Sequence, residues 1–228
     1  MCTISFAFIN PANAQKKPKP VIIGYVGGYR GLVNMNMIHP AKLTHLNYAF
    51  VNVLGNRAVL SNLRTDTVNL KNLSALKKEY PSIKILISIG GWSWSKNFSD
   101  AVFSDTSRIA FAHSAVAIVQ KYNLDGIDID WEYPGRQGAM DNIYRSEDKQ
   151  NFTRMFRALR KSLDSLQEQT GRRQLLTAAV GGFPAFLQTT NMGQAAQYLD
   201  FVNLMTYDLD GGSLTRHHTS LEQADRTI

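Results

Sequence analysis

Ten consecutive residues in the middle of the chain concentrate its chemistry: Asp125-Gly126-Ile127-Asp128-Ile129-Asp130-Trp131-Glu132-Tyr133-Pro134. If this segment is a strand, its side chains alternate between faces. Asp128, Asp130 and Glu132 then share one face, while Ile127, Ile129 and Trp131 share the other. Same-face neighbours start about 6.6 Å apart, close enough for their carboxyl groups to meet. Each negative charge disfavours the next, and an inward face is poorly solvated, so at least one carboxyl is expected to keep its proton near neutral pH. A carboxylic acid held neutral at a strand end can protonate a leaving oxygen and then act as a base. Carboxylate rows also suit magnesium or calcium, but this spacing has no calcium-loop pattern and no metal is expected. A solvated polar face is the third reading, and the apolar residues between the acids argue against it. Asp125 is expected to cap the start of the strand, and Trp131 to serve packing.

The flanking sequence predicts the elements that would carry such a strand. Apolar and β-branched runs at Val21–Val26, Leu43–Val53, Ile83–Ile89, Asp125–Trp131, Leu175–Val180 and Phe201–Thr206 read as strands. Helical spacing predicts helices over Thr67–Tyr80, Asp105–Tyr122 and Ser146–Gln169. In the last, Phe152, Met155, Phe156, Leu159, Leu163 and Leu166 fall on one face. Ser146, Glu147 and Asp148 suit its N-terminus and Gly171 its stop. Strands alternating with helices imply a parallel sheet covered by helices. No G-x-G-x-x-G follows the first strand, so a dinucleotide-binding sheet has no support. The other such architecture is the eight-fold barrel, which typically takes about 250 residues.

Composition narrows the class. At 228 residues, 44% hydrophobic and 19% charged, the chain is ordinary globular material. No apolar run reaches the roughly 18 residues that span a bilayer, so no membrane partner is expected. The formal charge of +7 includes Lys16, Lys17 and Lys19, and the other basic residues are scattered. That distribution fits a solvated basic surface better than a nucleic-acid footprint. The apolar stretch Ile4–Ile9, then Ala12-Asn13-Ala14 and a Lys/Pro segment, resembles the end of a secretory signal peptide. Residues 1–20 are therefore expected to be a leader remnant and linker, residues 21–228 the catalytic domain, and the protein to be secreted. Cys2, the only cysteine, would leave with the leader.

D-x-x-D-x-D-x-E ending a strand, here DGIDIDWEYP, resembles the signature of family-18 glycoside hydrolases, the chitinase family. Ser88-Ile89-Gly90-Gly91-Trp92 is similar to the family's S-x-G-G motif after the third strand. Gly24-Tyr25, Leu46–Phe50 and Met205-Thr206-Tyr207-Asp208 are similar to its first, second and sixth strands. The resemblance implies a TIM (β/α)8 barrel, here with about six of eight βα units, and retaining hydrolysis of chitin or N-acetylglucosamine oligosaccharides. It implies substrate assistance, in which the sugar's own 2-acetamido oxygen attacks the anomeric carbon. Glu132 would then be acid and base, and Asp130 would orient the acetamido N–H. Asp128 would share a proton with Asp130, and Tyr207 would hold the acetamido oxygen.

For substrate binding, Trp92 and Tyr133 are expected as subsite walls. Tyr25, Phe50 and Met205 are expected at the floor, with Tyr25 and Phe50 equally readable as core. Gly90, Gly91 and Ser93 would let backbone approach the ligand, and Thr206 and Asp208 complete the set. Trp94 is undecided. His217-His218 reads as loop rather than metal site, and His39, His45 and His113 as structural. No cofactor and no oligomeric partner are expected. Two alternatives share the motif: an endo-β-N-acetylglucosaminidase acting on N-glycan cores, and a non-catalytic lectin. The retained acid at Glu132 speaks against the second. An open six-strand arrangement would expose two sheet edges, so the chain as given is expected to be unstable or weakly active.

Overall fold

A computed structural model describes residues 20–208, together with His218 and Thr219. The leader expectation and His217 lie outside the described residues. The strands are β1 (Ile23–Gly27), β2 (His45–Leu54), β3 (Arg57–Val59), β4 (Lys84–Gly90), β5 (Gly126–Asp130), β6 (Leu175–Gly181) and β7 (Phe201–Met205). Six of them form one parallel sheet in the order β1-β2-β4-β5-β6-β7, an arc of the expected barrel; β3 pairs antiparallel with β2. That hairpin was not expected. Gly55 turns it at φ 56°, a left-handed conformation that glycine adopts without strain.

The main helices are α1 (Leu63–Ala75), α2 (Phe98–Ala101), α3 (Asp105–Lys121) and α4 (Asp148–Thr170). The helix expected over Thr67–Tyr80 starts earlier because Asn62 accepts from the Arg64 N–H and caps it. It gives way to a 3-10 turn at Leu76–Lys78. Ser146 does not cap α4. Its hydroxyl donates to Glu147, while the buried Asp148 carboxylate accepts from Arg145 N, Gly135 N and Ser99 Oγ. Gly171 does end α4, at φ 70°.

The alternation along β5 holds: Ile127 and Ile129 face the helices, and Asp128 and Asp130 face the inside of the arc. Behind β5 the apolar layer is aromatic. Trp131, 2% exposed, stacks on Phe98 at 5.1 Å and lies 6.1 Å from Phe152; Phe98 also meets Phe111 of α3 at 5.8 Å. Burial of side chains this size is worth about 1.5–3 kcal/mol each, so this layer is where the central strand is held to α2, α3 and α4. Asp125 closes the lower end of β5 by accepting from Ile85 N at 2.9 Å and from Lys77 Nζ at 2.8 Å.

Candidate active site

The deepest acid is the best connected. Asp128 is fully buried, and its two oxygens accept four hydrogen bonds from four strands. Oδ2 accepts from Tyr25 Oη of β1 at 2.9 Å and Ser88 Oγ of β4 at 2.8 Å. Oδ1 accepts from Thr177 Oγ1 of β6 at 2.6 Å and Asn203 Nδ2 of β7 at 3.2 Å. Register explains two of these, since Ser88 and Thr177 are the ladder partners of Asp128. Asn203 also reaches Tyr25 Oη at 3.1 Å, so side chains bridge the two outer strands of the arc. Burial pushes the Asp128 pKa up, and these four donors pull against it.

No hydrogen bond joins Asp128 to Asp130 among the described residues. Asp128 has about four lone-pair sites, and all are taken, so the proton sharing expected between the two has no free acceptor at Asp128. Asp130 is 6% exposed, and its Oδ1 is buried without a partner. Burial first, then the charges of Glu132 and Asp128, hold its carboxyl well above the usual carboxylate range. Its charge is thus opposed both by burial and by two like-charged neighbours. Glu132 lies just past the end of β5, half-buried, and is pushed up by burial and by Asp208 while a bond from Tyr133 opposes the shift.

Glycines let β4 and β5 end side by side. A Cβ on Gly90 (φ 110°) would lie 2.1 Å from Asp130 O, and one on Gly91 (φ 82°) would lie 2.8 Å from the Phe50 ring. The space a side chain would take at both is filled by protein; their absent side chains admit the neighbouring strand end and Phe50. Ser93 is exposed and makes no hydrogen bond among the described residues, whereas Ser95 is buried and accepts from the Glu132 N–H at 2.8 Å.

Aromatic rings form two groups at this end of the sheet. Trp92, 53% exposed, meets Tyr133 edge-on at 6.4 Å, and Tyr133 meets Phe183 at 5.1 Å under the Arg136 guanidinium. On the other side Phe50 lies between Tyr29, stacked at 6.3 Å, and Trp94 at 5.8 Å. Phe50 is thus part of an aromatic group that includes the undecided Trp94. Tyr25 is 45% exposed while its hydroxyl is committed to Asp128, so it joins the acid network and not the core.

Met205 ends β7 buried, and Thr206, Tyr207 and Asp208 follow it exposed. Burial and then the charges of Asp130 and Glu132 raise the Tyr207 phenol, which places it in the field of the acid row. Its ring stacks on His218 at 6.1 Å, and His218 Nδ1 is 3.3 Å from Asp208. The described residues contain no group of three potential metal-ligating side chains. Ser95, Asn142, Thr177, Asn203, Tyr29 and Phe183 were not expected at the site. None of them belongs to a motif, and it is the fold that turns their side chains to the site.

An arc of parallel strands with a carboxylate row at the carboxyl end of one of them is the placement of an active site in an α/β barrel. The sequence model of Glycosyl hydrolases family 18 matches residues 21–228, and the chain belongs to that family. It is 32% identical to Chitinase A1 of Niallia circulans, over 95% of this chain and 38% of that protein. Among solved structures, chitinase ChiA74 from Bacillus thuringiensis superposes with a TM-score of 0.85 at 31% identity, over 90% of this chain and 42% of that one. A family-18 N-acetylglucosaminidase from Paenibacillus barengoltzii superposes with a TM-score of 0.81 at 40% identity, over 90% of this chain and 59% of that one. The chain thus spans less than two thirds of the length of these relatives.

Proposed function

We propose that this chain cleaves β-1,4 bonds between N-acetylglucosamine units of chitin or chitooligosaccharides with retention, Glu132 acting as acid and then base. The observation that carries this reading is Asp130: a buried carboxyl with Oδ1 unpartnered and its charge disfavoured, between Asp128, which accepts four hydrogen bonds, and Glu132. A substrate acetamido N–H would supply that missing partner, turning Asp130 toward the sugar. The acetamido oxygen, held by Tyr207, attacks the anomeric carbon as Glu132 protonates the leaving oxygen. The cyclic oxazolinium ion is stabilised by the Asp128 charge and by the hydrogen bond from its N–H to Asp130 until water, deprotonated by Glu132, opens it with retention. Trp92, Tyr133 and the Phe50 group supply faces for sugar rings, and the substrate is met outside the cytoplasm by an exported monomer.

The test is incubation with chitotetraose, following product anomers by NMR, with Glu132→Gln alongside. Prompt β-anomer lost in the variant supports the reading; α-anomer product, or equal turnover by the variant, overturns it. The 40% identity to a protein described as an N-acetylglucosaminidase favours a second mode, release of single sugars from a chain end. The same spectra separate the two, because that mode yields monomer and trimer first.

A further inference from the structure

The acid at Glu132 sits where the sheet no longer holds the backbone. The ladder of β5 ends at Asp130, which pairs with Gly90 on one side and Ala179 on the other. Buried backbone groups need partners, and beyond the ladder they must come from elsewhere. For Glu132 both come from side chains: its N–H donates to Ser95 Oγ at 2.8 Å, and its C=O accepts from Asn142 Nδ2 at 2.7 Å. Ser95 is fully buried and Asn142 is 9% exposed. Resting on the proposed role of Glu132 as acid, we infer that Ser95 and Asn142 are positioning residues that clamp its peptide from both sides and fix the reach of its carboxyl.

Two features distinguish this clamp from ordinary packing. The Ser95 hydroxyl donates to Gly91 O at 2.9 Å and Asp130 O at 3.2 Å, but both acceptors have another donor. Asp130 O accepts from Gly91 N at 2.7 Å, and Gly91 O from Trp94 N at 3.1 Å. Removing the hydroxyl therefore orphans one group, the Glu132 N–H. Asn142 in turn leaves its own Oδ1 buried and unpartnered while its amide is committed to Glu132. A side chain kept for stability would not be expected to bury an unpaired oxygen, which is costly. The two residues lie on opposite sides of Glu132 in the chain, Ser95 after β4 and Asn142 in the loop before α4, so the clamp ties both loops to the acid.

The experiment compares Ser95→Ala and Asn142→Ala with the native 228-residue chain, reading kcat and KM on chitotetraose, amide exchange at Glu132 by NMR, and thermal midpoint. Each variant is expected to lower kcat on the order of tenfold to a hundredfold with KM within about threefold, since a misplaced catalytic group loses rate and not binding. In Ser95→Ala the Glu132 amide is also expected to exchange at least about tenfold faster, with the amides of β4 and β5 unchanged. Native-like kcat in both variants, or an unchanged Glu132 exchange rate in Ser95→Ala, overturns the inference. If the native chain turns over nothing, the proposed function fails first, and the exchange rate still decides whether the clamp exists. Should Ser95→Ala not fold, Asn142→Ala, in the loop before α4, carries the kinetic arm alone.

Discussion

The two faces of β5 are buried to the same degree and built from opposite chemistry. Ile127, Ile129 and Trp131 are at most 2% exposed, and so is Asp128; Asp130 is 6% exposed. On the outer face burial removes apolar surface from water and stabilises the fold. On the inner face the same burial strips water from charged groups, a cost offset by donors at Asp128 and expressed at Asp130 as a carboxyl pushed above its usual range. One strand thus holds the sheet to its helices with one face and keeps a poised row of acids with the other. Loss of an outer residue should cost stability, and loss of an inner one should cost activity or change the response to pH.

The sharpest break of that contrast is Glu132→Gln. It is expected to lower turnover of chitooligosaccharides by about 10²- to 10⁴-fold. Because burial already disfavours the Glu132 charge, the neutral variant should unfold at no lower urea concentration than the native protein at pH 7. A large drop in stability would mean that the inner face also serves packing. Trp131→Ala is the converse, expected to cost about 3–5 kcal/mol in urea unfolding because a stacked, fully enclosed ring is lost. A loss below about 1 kcal/mol would show that the aromatic layer behind β5 can be spared.

Asp130 tests the electrostatic side. Its folded-state pKa is raised, so the native protein keeps a proton that the unfolded chain has released. Stability contributed by that proton is lost as pH rises above the ordinary carboxylate value, near 4, toward the folded one. Asp130→Asn cannot ionise and escapes the loss, so its stability relative to the native protein should grow as pH rises from about 4. A difference that stays flat with pH would place the proton elsewhere in the row. The smallest effect is expected from Tyr25→Phe, which removes one of four donors to Asp128 and costs about 1.5 kcal/mol. If it costs nothing, the network is redundant at its exposed end, where Asn203 remains.

The strands of the parallel sheet and the long helices were legible because their periods are written into neighbouring residues. Ile127, Asp128, Ile129 and Asp130 divide between faces whatever surrounds them. Boundaries were less legible. Asn62 and Glu147 lie outside the apolar pattern, and the hairpin of β2 and β3 depends on Gly55, a single residue. At the site, the motif located Asp128, Asp130, Glu132 and Tyr133, but not what holds them. Asp128's partners lie between 40 and 103 residues away, and Ser95 is 37 residues from Glu132. Ser93, not Ser95, was expected at the site, because two serines either side of Trp94 look alike until the loop is folded.

Alone, the sequence determined which carboxyl groups share a face and that they would repel one another, since both follow from strand geometry and charge. Only the tertiary structure decided how differently the buried carboxyl groups are held. That outcome depends on where donors from β1, β4, β6 and β7 converge: all four meet at Asp128, and none reaches the Oδ1 of Asp130.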